Sequence, residues 1–484
     1  MKAFTRRSKE AIMYKENVVF STEFGTRSIK KLIPELAFWI TVLAFITFYL
    51  YRSDVSYENG EFSVLVTNYV IIYLSIVFMV FGDPYPFSLN KIFMFFSLFF
   101  FGIAPALQYQ QGVTFWGATP FTSADYFRTN IIILFILVFY QATYSLSSKV
   151  KVGSCIYKFF YKFFSSRGEM SELPLFALLL IALVSAFITF VVKDFSLPKL
   201  LFRSMSGTDL AKSVGLVYST FVRPLPAIVL VLIKQSGKRN RLFELILWII
   251  LLLTNFPTGT ARYYAAAIYL PLLSVYFKKW FFKKYLLLNK TLIVGLLIIF
   301  PFLDQFRRIP SLSNINLFVD LGMFSQGHFD SYQMFMKVVS EEFVTMGRQL
   351  LGVIFFFIPR SIWASKPVGS GHLVAERFGY TLSNISMNFF GEGYINFGFW
   401  GIVLFVILLA SINCKLDKAF WRNSQGNIAL STFYFLFLGL EVFILRGDLM
   451  SSFAYTCGMT LSLVFVLNMG YLARRFRRFV ARTL

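Results

Sequence analysis

The stretch IFMFFSLFFFG, Ile92 to Gly102, decides the class of this protein: six of its eleven residues are Phe and none is charged. The same texture fills the chain. Of 484 residues, 57% are hydrophobic, 19% aromatic and only 15% charged, with 62 Phe and a mean hydropathy of +0.65. A water-soluble domain of this composition would expose apolar surface on every side, so the main solvent is lipid. In lipid a Phe ring needs no hydrogen-bond partner, and the Phe clusters read as side chains facing the bilayer.

Outward from that run, further apolar segments of about 20 residues, enough to cross roughly 30 Å of hydrocarbon, begin near Ile33, Phe62, Asn130, Pro174, Leu216, Leu242, Tyr263, Tyr285, Gly393, Asn427 and Phe453. Together they predict an all-α polytopic membrane protein with about 12 transmembrane helices. The least distinct pair begins near Leu242 and Tyr263, because only FPTGTAR (Phe256 to Arg262) separates them. No internal repeat is visible.

A net charge of +23 raises the question of nucleic acid, which the distribution of charge answers. Roughly two thirds of the 47 Lys and Arg recur in alternate interhelical segments. These are the N-terminus, Lys91, Lys149 to Arg167, Lys234 to Arg241, Lys278 to Lys290, Lys415 to Arg422 and the tail RRFRRFVAR. That is a positive-inside pattern with both termini cytoplasmic, not a nucleic-acid surface. The first 32 residues lack an apolar run, so no cleavable signal peptide is expected and the first helix serves as its own insertion signal. Cys155, Cys414 and Cys457 are too few and scattered for a disulfide framework or thiolate metal site.

The expected plan is therefore a cytoplasmic segment 1–32, helices 1–9 in 33–303, a large periplasmic loop 304–392, helices 10–12 in 393–473 and a basic cytoplasmic tail 474–484. Within the loop, Tyr332, Phe335, Met336, Val339, Phe343 and Met346 repeat at helical spacing opposite Gln333, Lys337, Glu341, Glu342 and Thr345. This predicts an amphipathic helix lying along the bilayer surface. LLGVIFFFIP (Leu350 to Pro359) is apolar but too short to span, which fits an interfacial or re-entrant element.

The loop also gathers residues able to do chemistry: His328, His372, Arg307, Arg308, Arg348, Arg360, Lys366, Arg377, Glu376 and Glu392. Arg203, Arg223, Arg262 and Arg446 add further guanidinium groups at the outer face or within the membrane. A charge within or beside hydrocarbon costs at least about 2.5 kcal/mol, so each such Arg needs a partner or an anionic ligand. A guanidinium offers two parallel donors and stays charged, which suits a diphosphate. Arg262 follows a tight turn at a helix start, where free backbone N–H groups also favour an anion. Arg360 and Arg446 stand at interfacial depth. The plainer reading makes these Arg snorkelling anchors or interhelical salt bridges, and for Arg223 the preferred role is structural, paired with Glu244 or Glu441.

General-base candidates are His328, Asp330, His372, Glu376 and Glu392. Asp330 also has capping-box spacing to Gln333, which favours an N-cap. His372 lies in GSGHLVAERFG, where glycines let the backbone approach a ligand, though a lone loop His is often simply solvated. Glu392 stands at the mouth of a helix, where a carboxylate is also an ordinary cap. Trp363 and Trp400 suit sugar stacking but are better explained by an interfacial aromatic belt. There is no Asp-x-Asp and no ligand-spaced His/Cys/Asp cluster, so no metal is expected. No phosphate-binding GxxxxGK[ST] or GxGxxG appears, so no ATP or nicotinamide cofactor is expected either.

Pro359, Arg360, Trp363, Lys366 and Pro367, followed by Gly391, Glu392, Asn396, Phe397 and Gly398, give a segment that resembles the bacterial O-antigen polymerase (Wzy) family. In that family a Pro-Arg-x-x-Trp-x-x-Lys-Pro stretch leads to Gly-Glu-x-x-x-Asn-Phe-Gly at the next helix. The resemblance implies a GT-C-like membrane fold in a bacterial inner membrane and a glycosyltransferase of lipopolysaccharide biosynthesis. The implied reaction moves a growing glycan from undecaprenyl diphosphate onto the non-reducing end of an incoming undecaprenyl-diphosphate-linked repeat unit, without metal. A chain-length regulator and a flippase are the implied protein partners, beside membrane lipids. On this reading Arg262, Arg360 and Arg446 hold the diphosphate and Glu392 or His372 serves the acceptor hydroxyl. His328, Asp330, Lys366, Trp363, Glu376 and Arg203 are accessory. The rival classes are a flippase of the same lipid-linked unit, which needs a central polar path, and an O-antigen ligase.

Overall fold

The computed structural model describes residues 29–52, 62–149, 175–202, 212–237, 240–305, 321–423 and 427–483. The described chain is helical, without strands. Every one of the twelve apolar runs forms helix: α1 (Ile29–Arg52), α2 (Phe62–Phe81), α3 (Leu89–Gln110), α4 (Ser123–Lys149), α5 (Leu175–Val192), α6 (Val214–Gln235), α7 (Arg241–Thr254), α8 (Arg262–Tyr276) and α9 (Leu287–Leu303). After the long loop with its short helices α10 (Ser331–Ser340), α11 (Arg348–Ile354) and α12 (Ser370–Arg377) come α13 (Phe389–Asn423), α14 (Ile428–Arg446) and α15 (Leu449–Thr483). Among the described residues, nine helices are long and apolar enough to cross a membrane; the apolar parts Ile33–Phe48 of α1 and Leu287–Leu303 of α9 are shorter, and α8 has 15 residues.

The run Ile92 to Gly102 does not face lipid. It lies in α3, the most buried of the candidate spans, and Phe93, Phe96 and Phe101 are fully buried. Hydrocarbon is as apolar as Phe, so the choice between lipid and interior falls to packing. A π-helical stretch at Ser97–Ile103 changes the angular spacing of its rings. They meet Tyr140 of α4 at 3.9 Å from Phe93, Phe390 of α13 at 5.9 Å from Phe93, and each other, as in the Phe96–Phe100 stack at 4.6 Å.

Two apolar cores result. One joins α1 to α4, the loop and the first part of α13; the other joins the start of α3 to α5–α8, α14 and α15. Helix α10 belongs to the first core. Tyr332 and Gln333, one from each expected face, are both fully buried, so α10 is an internal strut and not a surface helix. Tyr332 Oη donates to Asn130 Oδ1 of α4 at 2.7 Å, and Gln333 Nε2 donates to Val113 O at 2.7 Å and Gln108 Oε1 at 3.2 Å. The helix stops at Ser340, and Glu342 (φ 50°) and Met346 (φ 49°) take left-handed backbone conformations that prevent its extension.

The other apolar loop element, Leu350 to Pro359, begins in the short helix α11. After α11 the chain turns, leaving Leu351, Ile354, Phe355, Phe357 and Ile362 exposed together, the last 79% exposed. An apolar patch of this kind beside a bundle of spanning helices suits the bilayer interface.

Helix α13 is broken near its start. Phe397 (φ −142°, ψ 21°) and Gly398 (φ 61°, ψ −146°) are non-helical, and only glycine takes the second conformation without strain. The break folds Gly401 back so closely on Gly393 that a Cβ at Gly401 would lie 1.8 Å from the Gly393 carbonyl oxygen. Arg223 is structural as expected but with other partners: Nε donates to Thr254 O at 3.0 Å and the guanidinium lies over Tyr264, while Glu244 pairs with Lys234 and Glu441 accepts from Asn413.

Candidate functional site

Arg262 opens α8 directly after the Pro257–Gly259 turn. It is 8% exposed, its guanidinium carbon lies 3.9 Å from the centre of the Phe300 ring, and its Nη2 stands 2.9 Å from Nδ1 and 3.1 Å from Nε2 of His328. A cation over an aromatic face gains electrostatic attraction while losing little of its freedom to contact an anion on the other side. His328 sits on the short turn Gly327–Phe329 and meets Phe300 edge to face at 5.6 Å.

From the opposite direction comes Arg446, the last residue of α14. Its Nη2 donates to His328 O at 3.1 Å and to Asp330 Oδ1 at 3.1 Å, and its guanidinium lies over Tyr263. Arg446 Nε is buried without a hydrogen-bond partner among the described residues. Asp330, 1% exposed, also accepts from Trp116 Nε1 at 3.1 Å and from Ser386 Oγ. Its side chain makes no capping bond to α10. The capping-box expectation fails because a buried carboxylate is held more strongly by a guanidinium and two side-chain donors than by its own helix. Two guanidinium groups, an imidazole and one carboxylate thus converge from α8, the loop and α14.

Arg360 is elsewhere. It is exposed, and its Nη1 and Nη2 donate to Lys366 O at 2.6 Å and Pro367 O at 3.2 Å. Lys366 Nζ in turn donates to Phe356 O at 2.6 Å and Ile358 O at 3.0 Å, and Trp363 Nε1 to Ser365 Oγ. The Pro-Arg-x-x-Trp-x-x-Lys-Pro segment therefore knits itself into a stapled turn, so the expected joint clamp of Arg262 and Arg360 gives way to the pair Arg262 and Arg446. Burial, and secondarily the Arg360 charge, hold the Lys366 amine below the usual lysine range.

Glu392 is fully buried in the first turn of α13. Its Oε2 accepts from Ser370 Oγ at 2.6 Å and its Oε1 from Leu449 N at 2.9 Å, and beside it Asp448 accepts from Gly371 N at 3.0 Å and Met450 N at 3.0 Å. This joins α12, α13 and the start of α15. With both oxygens occupied and no exposure, Glu392 positions the helices and is not placed to take a proton from a substrate. His372 and Glu376 are exposed on α12, whose Val374 and Ala375 face inward, and neither joins the Arg cluster. Arg203, Arg307 and Arg308 lie outside the described residues.

Ser370, Ser386, Trp116 and Asp448 carry contacts that sequence reading passed over. Only Asp448 had a local signal, an acid directly before the apolar run of α15. Among the described residues no group of three or more His, Cys, Asp or Glu side chains converges as metal ligands. No protein-family model matches the chain, and no curated protein or solved structure matches it.

Proposed function

We propose that the chain is a membrane glycosyltransferase of the O-antigen polymerase type, taking its glycan from a lipid diphosphate. The observation that carries this is the convergence of Arg262 and Arg446 on His328, with Arg446 Nε buried and unpartnered. Two guanidinium groups brought together beside His328 offer planar, parallel donors of the kind that suit a phosphate. In this reading an acceptor hydroxyl oxygen attacks the anomeric carbon of the donor glycan as the bond to the diphosphate oxygen breaks. Arg262 and Arg446 receive the negative charge that develops on the leaving diphosphate, the function a divalent ion performs elsewhere. His328, beside Arg262, takes the hydroxyl proton on a ring nitrogen and later releases it to solvent or product. Asp330 holds Arg446 in position.

A second reading, transport of the same lipid-linked unit, is favoured by one observation. Lys91, Asp417 and Glu441 are fully buried within candidate spans, and Glu441 Oε2 has no hydrogen-bond partner among the described residues. Buried ionisable groups at membrane depth mark pathways in transporters. Disrupting the gene separates the two. A polymerase leaves single repeat units on the outer lipid, a flippase leaves none, and a ligase leaves free lipid-linked polymer. Absence of single units after disruption would sink the polymerase reading.

A further inference from the structure

A cavity of about 460 Å3 lies beside the stapled turn, lined among others by Phe343, Arg348, Gln349, Lys366, Pro367 and Leu373. Its size is that of small-molecule sites, roughly 300–1,000 Å3. No acidic residue lines it, although two cations do. Arg348 is exposed and its side chain has no hydrogen bond or ion pair among the described residues. Lys366 Nζ donates to two carbonyls and has a third N–H left. Gln349, 4% exposed, borders the cavity as part of its wall.

The residues that carry the sequence resemblance build this cavity. Arg360 fixes the Lys366 and Pro367 carbonyls. Asn396 accepts on Oδ1 from Leu350 N at 2.7 Å and through its carbonyl from Gly347 N at 2.8 Å, which pins the strip carrying Arg348 and Gln349 to the break in α13. Of the motif residues, Arg360 and Asn396 thus hold the wall in place, while Lys366 and Pro367 line the cavity beside Arg348, Phe343 and Leu373.

We propose that the cavity is a binding site for an acidic saccharide, a sugar bearing a carboxylate or phosphate. The Arg348 guanidinium and the Lys366 ammonium take the acid group, and Phe343, Pro367 and Leu373 cover the apolar face of the ring. This deepens the glycan-transfer reading and rests on it for the class of ligand. The exposed apolar patch nearby makes an anionic lipid headgroup the competing occupant, and the ring-sized apolar wall of Phe343, Pro367 and Leu373 favours the sugar.

The test uses the full chain in nanodiscs of phosphatidylcholine, with galacturonate, glucose 6-phosphate and galactose as probes in ligand-observed NMR titrations. At least one acidic sugar is expected to bind roughly tenfold or more tighter than galactose, with Arg348→Gln removing most of that preference. Arg348→Gln is expected to leave the unfolding temperature unchanged, since the side chain has no partner to lose. Equal binding of acidic and neutral sugars, or no binding of either acid, overturns the site. So does an Arg348 effect seen only on competition by phosphatidylglycerol, which assigns the cavity to a headgroup. Arg262→Ala should leave sugar binding intact while abolishing polymer, so failure of the cavity and failure of the transfer reading are separately visible.

Discussion

Arg262 Nη2 stands nearly equidistant from the two ring nitrogens of His328, at 2.9 Å and 3.1 Å. Nη2 therefore stands over the imidazole ring, spanning both nitrogens, and the guanidinium carbon lies 3.9 Å from the centre of the Phe300 ring. A lysine at this position brings a point charge without the planar fork that stacks and donates together. Arg262→Lys is expected to cut long-chain glycan by about tenfold to a hundredfold, the loss of one charge-assisted contact in the transition state, and Arg262→Ala to abolish it. Both proteins should remain at normal level in the membrane. Polymer length on a silver-stained gel, normalised to membrane-protein level, reads the result, and full polymer with Lys would rule out bidentate anion binding there.

Asp330 and Arg446 provide a different kind of test, because the carboxylate is almost fully buried while the guanidinium is partly so. Removing one member of a buried pair leaves an uncompensated charge, which costs about 3–5 kcal/mol, whereas removing both charges costs far less. The single variant Arg446→Ala is therefore expected to lower the thermal unfolding midpoint in detergent more than the double variant Arg446→Ala with Asp330→Asn. Additive losses would mean that the pair at 3.1 Å is not energetically coupled.

The contrast between α3 and the loop shows what can be read from this sequence. All twelve apolar runs could be located because hydrogen-bond satisfaction in lipid requires helix, and Arg262, Arg446, His328 and Asp330 could be named because buried charge is costly. Which charges meet could not be read. Arg262 and His328 are 66 positions apart, and Arg446 and Asp330 are 116 apart, so their pairing is set by helix packing alone. Nor could the side facing lipid be read from the Ile92–Gly102 run of α3, where Ser97 is the one polar residue and periodicity vanishes. Helix α10 misled for the opposite reason. Its pattern was amphipathic, but Gln333 finds Gln108 and Val113 inside the protein, and a satisfied polar side chain needs no solvent.

Glu392 separates positioning from chemistry. Because Oε1 and Oε2 accept from Leu449 N and Ser370 Oγ, Glu392→Gln keeps one acceptor and the side-chain volume, while Glu392→Ala leaves a buried donor unmatched on each side at about 1–3 kcal/mol. The expected result is that Glu392→Gln retains polymer to within about fivefold, a loss of under roughly 1 kcal/mol, and that Glu392→Ala loses folded protein. Loss of polymer in Glu392→Gln with a normal unfolding midpoint would restore Glu392 as the proton acceptor.

Arg360 should behave as a staple. Its two donors bridge to Lys366 O and Pro367 O, a geometry that one ammonium group does not reproduce. In limited proteolysis of the protein in nanodiscs, Arg360→Ala and Arg360→Lys are both expected to speed cleavage between Phe357 and Lys366 severalfold, following local opening. Unchanged cleavage with lost polymer would return Arg360 to the substrate.

Asp448, between α14 and α15, gives the pH dependence. Burial is the largest influence on its carboxyl and raises its pKa above the usual aspartate value of 3.8, against the lowering effect of the backbone N–H groups of Gly371, Ser451, Met450 and Ser370. A raised folded-state value means that between 3.8 and that value the folded protein holds more protons than the unfolded chain. Stability from this group is then greatest below the unfolded pKa, falls as pH rises through the window, and is level above the folded pKa. Asp448→Asn removes the titration and part of the cap, so it should lower the unfolding midpoint by an amount equivalent to about 1 kcal/mol near neutral pH. It should also flatten the slope between the unfolded pKa and neutrality. A midpoint series from pH 4 to pH 8 on both proteins decides this, and an Asn variant whose slope matches the parent would show that another carboxyl governs the acid side.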